Sequence, residues 1–328
     1  MPARSTLLLL LALMLAACGD GGPDALPDRV IAVRNEGIVE ISLATGDERL
    51  LLPATDEAVL LEPAVSPDGR QLAYTRQLVA VVVPGEEFDA GADVYVAGID
   101  GSDPRPVREH TVRGELVGAP SWLPDGDLIV SFQRFEAPAF VTGVDRIDLA
   151  TGDVTRVLDD GFAASVSPDG ERLLFVRTDD QFVQTLWTAN IDGSEPRPLL
   201  GPDEGLGTFH SPRMSPDGAT VAVAAGELLA SGVSAGGGTF GLRAGAYNGL
   251  PADVWLIDAG GGNPRLLADL DLDSPSLAWS GDGARLFVFS GQGLFALDPI
   301  DGSQITLAEG TFHGQLDWLA GDAPEDGS

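Results

Sequence analysis

The sequence predicts an all-β fold, a six-bladed β-propeller of four-stranded antiparallel blades, and three observations support this prediction. A short apolar run that ends in a tight turn occurs six times, and a second apolar run follows each of the first five turns. The turns recur every 39 to 65 residues, whereas a four-stranded propeller blade takes ~40–45 residues. The sixth copy has only its first strand, and the N-terminal region contains strands that could complete it. We therefore expect both termini to close the last blade, which removes exposed sheet edges.

The first hairpin turn is the most regular part of each repeat. Its clearest copy is Ser-Pro-Asp-Gly at residues 66–69. Proline presets φ for the second turn position, and glycine supplies the positive φ that closes a short hairpin. The flanking runs are short and rich in Val, Leu and Phe, so they are predicted to be strands. We interpret the repeated turn residues as structural; they are Asp68, Gly69, Asp125, Gly126, Asp169, Gly170, Asp217, Gly218, Asp282 and Gly283.

A second strand–turn–strand pattern follows each hairpin and brings every repeat to four strands. Its turns are of the Asp-Gly-Ser type at residues 100–102 and 192–194, or of the Ala-Thr-Gly type at 150–152. In the last repeat the strand at 315–319 would be joined by N-terminal strands near residues 29–33, 38–43 and 49–51.

These motifs resemble the WD40-like repeat of the six-bladed TolB-like β-propellers, over about residues 28–322. The resemblance implies a binding or scaffolding platform. The same family includes the propellers of prolyl-oligopeptidase-type enzymes. The 328 residues leave no room for the α/β domain of TolB or for the α/β-hydrolase domain of those peptidases, so we expect neither.

The N-terminal segment predicts export and lipidation. Arg4 precedes an apolar run at residues 7–17 that is too short for a transmembrane helix. The run ends in Leu-Ala-Ala before Cys18, the only cysteine, and this sequence resembles a bacterial lipobox. We expect a lipoprotein signal peptide at 1–17, a lipidated tether at 18–27, the propeller at 28–322 and a disordered tail at 323–328. Acyl chains on Cys18 would anchor an exported bacterial lipoprotein that faces the periplasm or the cell exterior.

The charge of the chain excludes some classes of partner. The formal net charge is −31, and all 19 basic residues are arginines. Such a surface repels nucleic acid and anionic lipid headgroups, so we expect no nucleic-acid binding and membrane contact through the lipid anchor only. We interpret the charge as a device for solubility and expect a monomer. A basic partner or a cationic ligand is an open alternative.

The order of the strands predicts two unlike faces. Antiparallel strands place the Asp-Gly turns on one face and connections of variable length on the other, including long insertions at 77–92 and 226–252. Variable loops on a rigid scaffold are where binding usually occurs. The leading hypothesis is therefore a non-enzymatic envelope module that binds a protein or a small ligand on the variable face. A purely structural envelope module is a further alternative.

The three histidines are the candidate metal ligands. His110, His210 and His313 are predicted to lie on the variable face, in connections that lead into channel-lining strands. Imidazole binds Zn, Mn and Ni, and the resemblance includes propeller enzymes with channel histidines around a metal. The alternative function is accordingly a metal-dependent polysaccharide lyase or hydrolase. The simpler interpretation is that each histidine bonds a neighbouring loop, and no other cofactor is expected.

Three further motifs have structural explanations. The alternating aspartates of residues 269–273 could chelate Ca²⁺, but we favour a solvated acidic loop. Gly-x-Ser-x-Gly at 232–236 matches a nucleophile elbow, yet the glycine-rich segment after it would not start a helix. Repeated tryptophans at the ends of inner strands could stack on a ligand, although we favour packing between blades; they are Trp122, Trp279 and Trp318.

Overall fold

The computed structural model describes residues 28–79, 90–137, 139–227, 251–273 and 275–320. Regular structure in these ranges is β-strand, apart from one short 3-10 helix at Pro202–Glu204. No helix in the same ranges is long and apolar enough to cross a membrane. In chain order the strands are β1 (Arg29–Arg34), β2 (Gly37–Ser42), β3 (Glu48–Pro53), β4 (Ala58–Val65), β5 (Gln71–Leu78), β6 (Ala92–Gly98), β7 (Arg105–Arg108), β8 (Leu116–Trp122), β9 (Leu128–Glu136), β10 (Ala139–Ile147), β11 (Val154–Leu158), β12 (Phe162–Val166), β13 (Arg172–Thr178), β14 (Gln184–Asn190), β15 (Arg197–Leu200), β16 (Leu206–Met214), β17 (Thr220–Glu227), β18 (Pro251–Asp258), β19 (Arg265–Asp273), β20 (Ser276–Trp279), β21 (Leu286–Ser290), β22 (Gly293–Leu297), β23 (Gln304–Glu309) and β24 (His313–Leu319).

The sheets confirm an all-β propeller of antiparallel four-stranded blades but correct the predicted count of separate blades. Four sheets have four strands each, in the orders β24-β1-β2-β3, β12 to β15, β16 to β19, and β20 to β23. The strands β4 to β11 instead form one eight-stranded sheet. It consists of two four-stranded antiparallel meanders, which are joined by a single parallel pair, Ala92 with Leu116. The join arises because the Ala92 N–H donates to the Glu115 carbonyl at 3.0 Å.

The two ends of the chain share one sheet, as the sequence predicted. Strand β1 pairs antiparallel with β24, with Arg29 opposite Leu319 and Ile31 opposite Asp317. The apolar run of β1 supports this placement, since Val30 and Ile31 are fully buried. The last described sheet is thus completed by the N-terminal strands.

Six inner strands form a ring around the centre of the molecule. Strands β4, β8, β12, β16, β20 and β24 each contact the next, and β24 contacts β4. A hydrogen bond between a side chain of one inner strand and the backbone of the next crosses every one of these contacts. The pairs are Glu62 with Ala119, Ser121 with Val166, Ser165 with Pro212, Ser211 with Leu277, Ser276 with Leu316, and Asp317 with Val65.

The hydrophobic core is divided among six apolar clusters, each of which lies between two consecutive sets of four strands. Strand β13 shows how the sequence produces this arrangement. Leu173 and Phe175 pack to one side of the strand and Leu174 and Val176 to the other, and all four are fully buried. Side chains alternate between the two sides of a strand, so a strand that is covered on both sides has an uninterrupted apolar sequence.

The connections divide into two faces, as predicted. The turn face contains the connections 43–47, 66–70, 99–104, 123–127, 148–153, 167–171, 191–196, 215–219, 259–264, 280–285 and 298–303, all of five or six residues. The fully described connections of the loop face are 35–36, 54–57, 109–115, 159–161, 179–183, 201–205, 291–292 and 310–312. Their lengths run from two to seven residues.

Candidate functional site

The Asp-Gly turns on the turn face are built from hydrogen bonds within each turn. In the turn at 66–70 the Ser66 hydroxyl donates to Asp68 Oδ1 at 2.6 Å, and the Arg70 N–H donates to the same oxygen at 3.1 Å. The Ser66 hydroxyl is the largest cause that lowers the pKa of Asp68. Gly69 has φ of +69°, the left-handed conformation that the turn requires. The arrangement is therefore a structural device.

The same serine–aspartate pair recurs in three other turns, at Asp169, Asp217 and Asp282. The turn at Asp125 differs, since Leu123 replaces the serine and Arg146 pairs with Asp125 Oδ2 at 2.6 Å. Sequence reasoning missed the serines. Their constant position two residues before the aspartate was the available signal.

Arg213 places a cation among the inner strands at the centre of the ring. Its Nη2 donates to Gln315 Oε1 at 2.5 Å, and its Nη1 donates to the Pro212 carbonyl at 3.0 Å. Gln315 belongs to β24, two inner strands away from β16. Burial lowers the pKa of Arg213, and the carboxylates of Asp317 and Glu62 act in the opposite direction. The carboxyl groups of two other inner strands thus offset part of the cost of burying the Arg213 cation.

Glu62 and Asp317 are the buried acids of this region. Glu62 Oε2 accepts the Ala119 N–H at 2.6 Å and the Thr75 hydroxyl at 2.7 Å. Asp317 Oδ2 accepts the Val65 N–H at 2.8 Å. Burial raises the pKa of both carboxyl groups, while these hydrogen bonds and Arg213 lower it in part. Each acid joins two inner strands, so its first role is structural.

The histidines have separate surroundings. His110 lies in the 109–115 connection, where its Nδ1 is 2.6 Å from Asp93 Oδ1. His313 Nε2 is 2.7 Å from Asn35 Oδ1. His210 is a strand residue opposite Ala224, and burial lowers its pKa to about 4.

The predicted placement of two histidines was wrong, since His210 lies inside β16 and His313 begins β24. A bulge interrupts the pairing of each strand with its neighbour, and each strand begins on the loop-face side of that bulge. Residues that were expected in the connections therefore belong to the strands. Within the ranges that the structure describes, no group of three or more His, Cys, Asp or Glu side chains could hold a metal ion. The shared metal site of His110, His210 and His313 stays a prediction without a supporting observation here.

Exposed aromatic side chains are concentrated on the loop face. Phe135 and Phe140 are 62% and 41% exposed, at the tip of the β9–β10 hairpin. Phe182, in the 179–183 connection, is 59% exposed. Sequence reasoning missed these residues. Two phenylalanines on either side of a hairpin tip, where polar turn residues are usual, were the signal.

The repeated tryptophans pack between the sets of strands, as we favoured. Trp122 is buried, and its Nε1 donates to the Ala64 carbonyl of the preceding inner strand at 2.8 Å. Trp279 donates in the same way to the Arg213 carbonyl at 3.2 Å.

Several predicted features lie outside the described residues. They are Cys18 with its leader and tether, the tail at 323–328, the Gly-x-Ser-x-Gly motif at 232–236, and most of the two long insertions. The acidic residues 269–273 were expected in a loop but belong to strand β19. Asp269 is exposed there, whereas the side chains of Asp271 and Asp273 are not described.

No protein-family model matches the sequence, and no curated protein is detectably similar to it. Solved structures do resemble the fold. TolB from Acinetobacter baumannii has a TM-score of 0.64 at 18% identity, over 89% of this chain and 66% of that protein. The chain thus spans slightly less than two thirds of that TolB.

Two other solved structures are relevant to the hypotheses. A chain of the nidogen/laminin complex has a TM-score of 0.63 at 9% identity, over 89% of this chain and 98% of that chain. An oligogalacturonate lyase in complex with manganese has a TM-score of 0.50 at 13% identity, over 91% of this chain and 74% of the lyase. At such low identities these likenesses establish the fold alone: the chain has a TolB-like β-propeller fold.

Proposed function

We propose that the chain is a non-enzymatic, protein-binding propeller of the bacterial envelope that binds its partner on the loop face. It is exported, and a lipid on Cys18 tethers it to the membrane, facing the periplasm or the cell exterior. It is a six-bladed ring, in which the eight-stranded sheet counts as two blades. The six inner strands and the six apolar clusters between the sets of strands support this count.

The observation that carries the binding proposal is the unequal distribution of exposed apolar side chains. Ten large hydrophobic side chains of the described residues are exposed, and four of these lie on outer strands. The turn face has one, Ile300, while the loop face has five, including all three exposed phenylalanines. Aromatic side chains are enriched at protein interfaces and dominate their binding energy. The loop-face set is Val79, Val112, Phe135, Phe140 and Phe182.

The similarity to a chain of a nidogen/laminin complex is consistent with this proposal, since that chain was solved in a complex of two proteins. The similarity to a lyase extends only to the fold, and no observation of the described residues favours a metal-dependent reaction.

Site-specific photo-crosslinking in intact cells tests the binding proposal. Full-length protein would carry p-benzoylphenylalanine at Phe182 on the loop face, or at Ile300 on the turn face as the matched control. Ile300 is 83% exposed, so both probes reach solvent. We expect a discrete protein adduct from position 182 and none from position 300. Adducts from position 300 alone, or from neither position, would contradict a partner on the loop face.

Lipid tethering has its own test. Metabolic labelling with an alkyne fatty acid should modify the wild-type protein but not Cys18→Ser, because the thiol is the acylation site. The variant should also leave the membrane fraction. A Cys18→Ser protein that keeps the label and stays with the membrane would contradict the anchor.

A further inference from the structure

The β9–β10 hairpin presents an aromatic pair to solvent. Phe135 and Phe140 are directly opposite each other in the antiparallel register. Their ring centroids are 5.2 Å apart at an angle of 62°, an edge-to-face arrangement. Such a pair is rigid and offers a large apolar area at low entropic cost, which suits a binding surface.

The orientation of the pair follows from the strand geometry. Phe140 and Thr142 lie on the same side of β10, because side chains alternate along a strand. The Thr142 hydroxyl accepts the Gly161 N–H at 3.0 Å. The side of the hairpin that carries the aromatic pair therefore faces the 159–161 connection, which leads into the next set of strands.

The neighbouring connections are acidic. Residues 159–161 and 179–183 contain four aspartates and no arginine, and the four aspartates are exposed. Asp160 pairs with Arg177 at 2.7 Å, and Arg156 lies 3.6 Å from Asp159, so two arginines offset part of this charge. Phe182 adds a third exposed ring within the second connection.

The other described connections of the loop face are also acidic. Together, the described connections of this face contain eleven acidic residues and one arginine. Anionic lipid headgroups and a second copy of a chain with net charge −31 would both be repelled. Charge complementarity instead favours a cationic occupant, and a cation over an aromatic face is attracted by the ring as well.

We propose that Phe135, Phe140 and Phe182, together with the aspartates of residues 159–161 and 179–183, form a docking site for a basic segment of a partner protein that carries an apolar anchor. The inference rests on the proposed protein-binding function and specifies the chemistry of the partner. The anchor packs against the phenylalanine rings, and Lys or Arg side chains beside it meet the exposed aspartates.

Defined peptides test this site on the full-length protein in nanodiscs of zwitterionic lipid. The probe is a twelve-residue peptide with one Trp flanked by four Lys and Arg residues. One comparison peptide has Ser in place of Trp, and the other has Glu in place of every basic residue. We expect the cationic Trp peptide to bind at least tenfold more tightly than either comparison peptide, and its affinity to fall as salt increases.

Variants locate the binding. Phe135→Ser with Phe140→Ser should weaken the cationic Trp peptide at least tenfold, and Phe182→Ser should do so to a smaller extent. Ile300→Ser removes an exposed apolar side chain of the turn face and should change the affinity less than twofold. Asp159→Asn with Asp180→Asn should reduce the salt dependence. Unchanged thermal midpoints would establish that all these proteins are folded.

Several outcomes would overturn the proposal. The acidic peptide could bind as tightly as the cationic one, or the double phenylalanine variant could keep wild-type affinity. Alternatively, the wild-type protein could form a dimer, or bind phosphatidylglycerol vesicles, in a way that the double phenylalanine variant abolishes. If these occur while position 182 still crosslinks to a protein in cells, the loop-face function stands and only the basic partner is wrong.

Discussion

The turn face and the loop face are both acidic, yet they differ in what they leave exposed. On the turn face, carboxylates accept hydrogen bonds from serine hydroxyls and backbone N–H groups of their own turns. On the loop face, rings of phenylalanine stand in solvent at a hairpin tip and in a connection. The comparison teaches that repetition marks the residues that build the ring. The exposed aromatic surface lies where the repeat is interrupted.

A matched pair of glycine substitutions should give the largest effect and tests whether the turn face is structural. Gly170 and Gly218 have φ of +73° and +70°, so alanine is strained at both, by about 1–2 kcal/mol. A Cβ at Gly170 would also lie 2.6 Å from Pro124 Cδ, while a Cβ at Gly218 meets nothing within 4 Å. Overpacking adds about 1–3 kcal/mol, so Gly170→Ala should destabilise more than Gly218→Ala in urea unfolding. Equal decreases in the free energy of unfolding would show that the contact with Pro124 does not contribute.

Glu62 tests the inner strands that lie between the two faces. Glu62→Ala leaves the buried Ala119 N–H and Thr75 hydroxyl without their acceptor, and should cost about 1–3 kcal/mol. Glu62→Gln keeps an acceptor oxygen and serves as the control. Burial raises the pKa of Glu62 in the folded protein. The protonated side chain therefore contributes its full stabilisation below the unfolded pKa, and this stabilisation is lost as pH rises through the folded pKa. Glu62→Gln should therefore match or exceed wild type at pH 7 in chemical denaturation, and a large loss there would contradict this account.

His210 should give a smaller and pH-dependent effect. Its pKa falls from 6.5 to about 4 on folding, so the unfolded chain binds more protons between these values and stability should decrease as pH falls from 6.5 to 4. One pKa unit corresponds to about 1.4 kcal/mol; since the side chain is only half-buried, we expect about 1–2 kcal/mol over this window. His210→Gln should remove that component from the pH profile of the thermal midpoint, while the acid loss from the turn aspartates below pH 4 persists. A profile that His210→Gln leaves unchanged would argue against a neutral imidazole at this partly buried position.

The smallest effect on stability is expected at the aromatic tip. Phe135→Ser and Phe140→Ser remove exposed side chains and should change the free energy of unfolding by less than about 0.5 kcal/mol each. Phe175→Ala, at a fully buried ring, should by contrast cost about 3–5 kcal/mol. A loss above about 1 kcal/mol at Phe135 would mean that the tip packs against the body of the propeller, and would weaken its role as a free binding surface.

The sequence was sufficient for the order of the strands, the turns and the two faces, because each depends on local periodicity or on a turn residue with special φ. The shared terminal sheet followed from counting the strands of the repeats, whereas the bounds of β16, β19 and β24 were missed. The sequence was insufficient for the fusion of two sets of strands, which depends on one backbone hydrogen bond between Ala92 and Glu115. It also missed the central charge of Arg213, since only the closed ring brings β16 near Gln315. Phe135 was overlooked because an apolar residue at the end of a strand has the same pattern whether it is buried or exposed.

The direction of β1 has a consequence for how the molecule would stand on a membrane. Strand β1 starts beside the end of β24, at the turn face, and runs toward the loop face. If Cys18 carries the lipid, the tether enters the propeller from the turn face, and its ten residues reach at most ~35 Å. The acidic turn face would then be held toward the bilayer and kept off anionic headgroups by repulsion. The aromatic tip would point away from the lipid, toward whatever arrives from the open compartment.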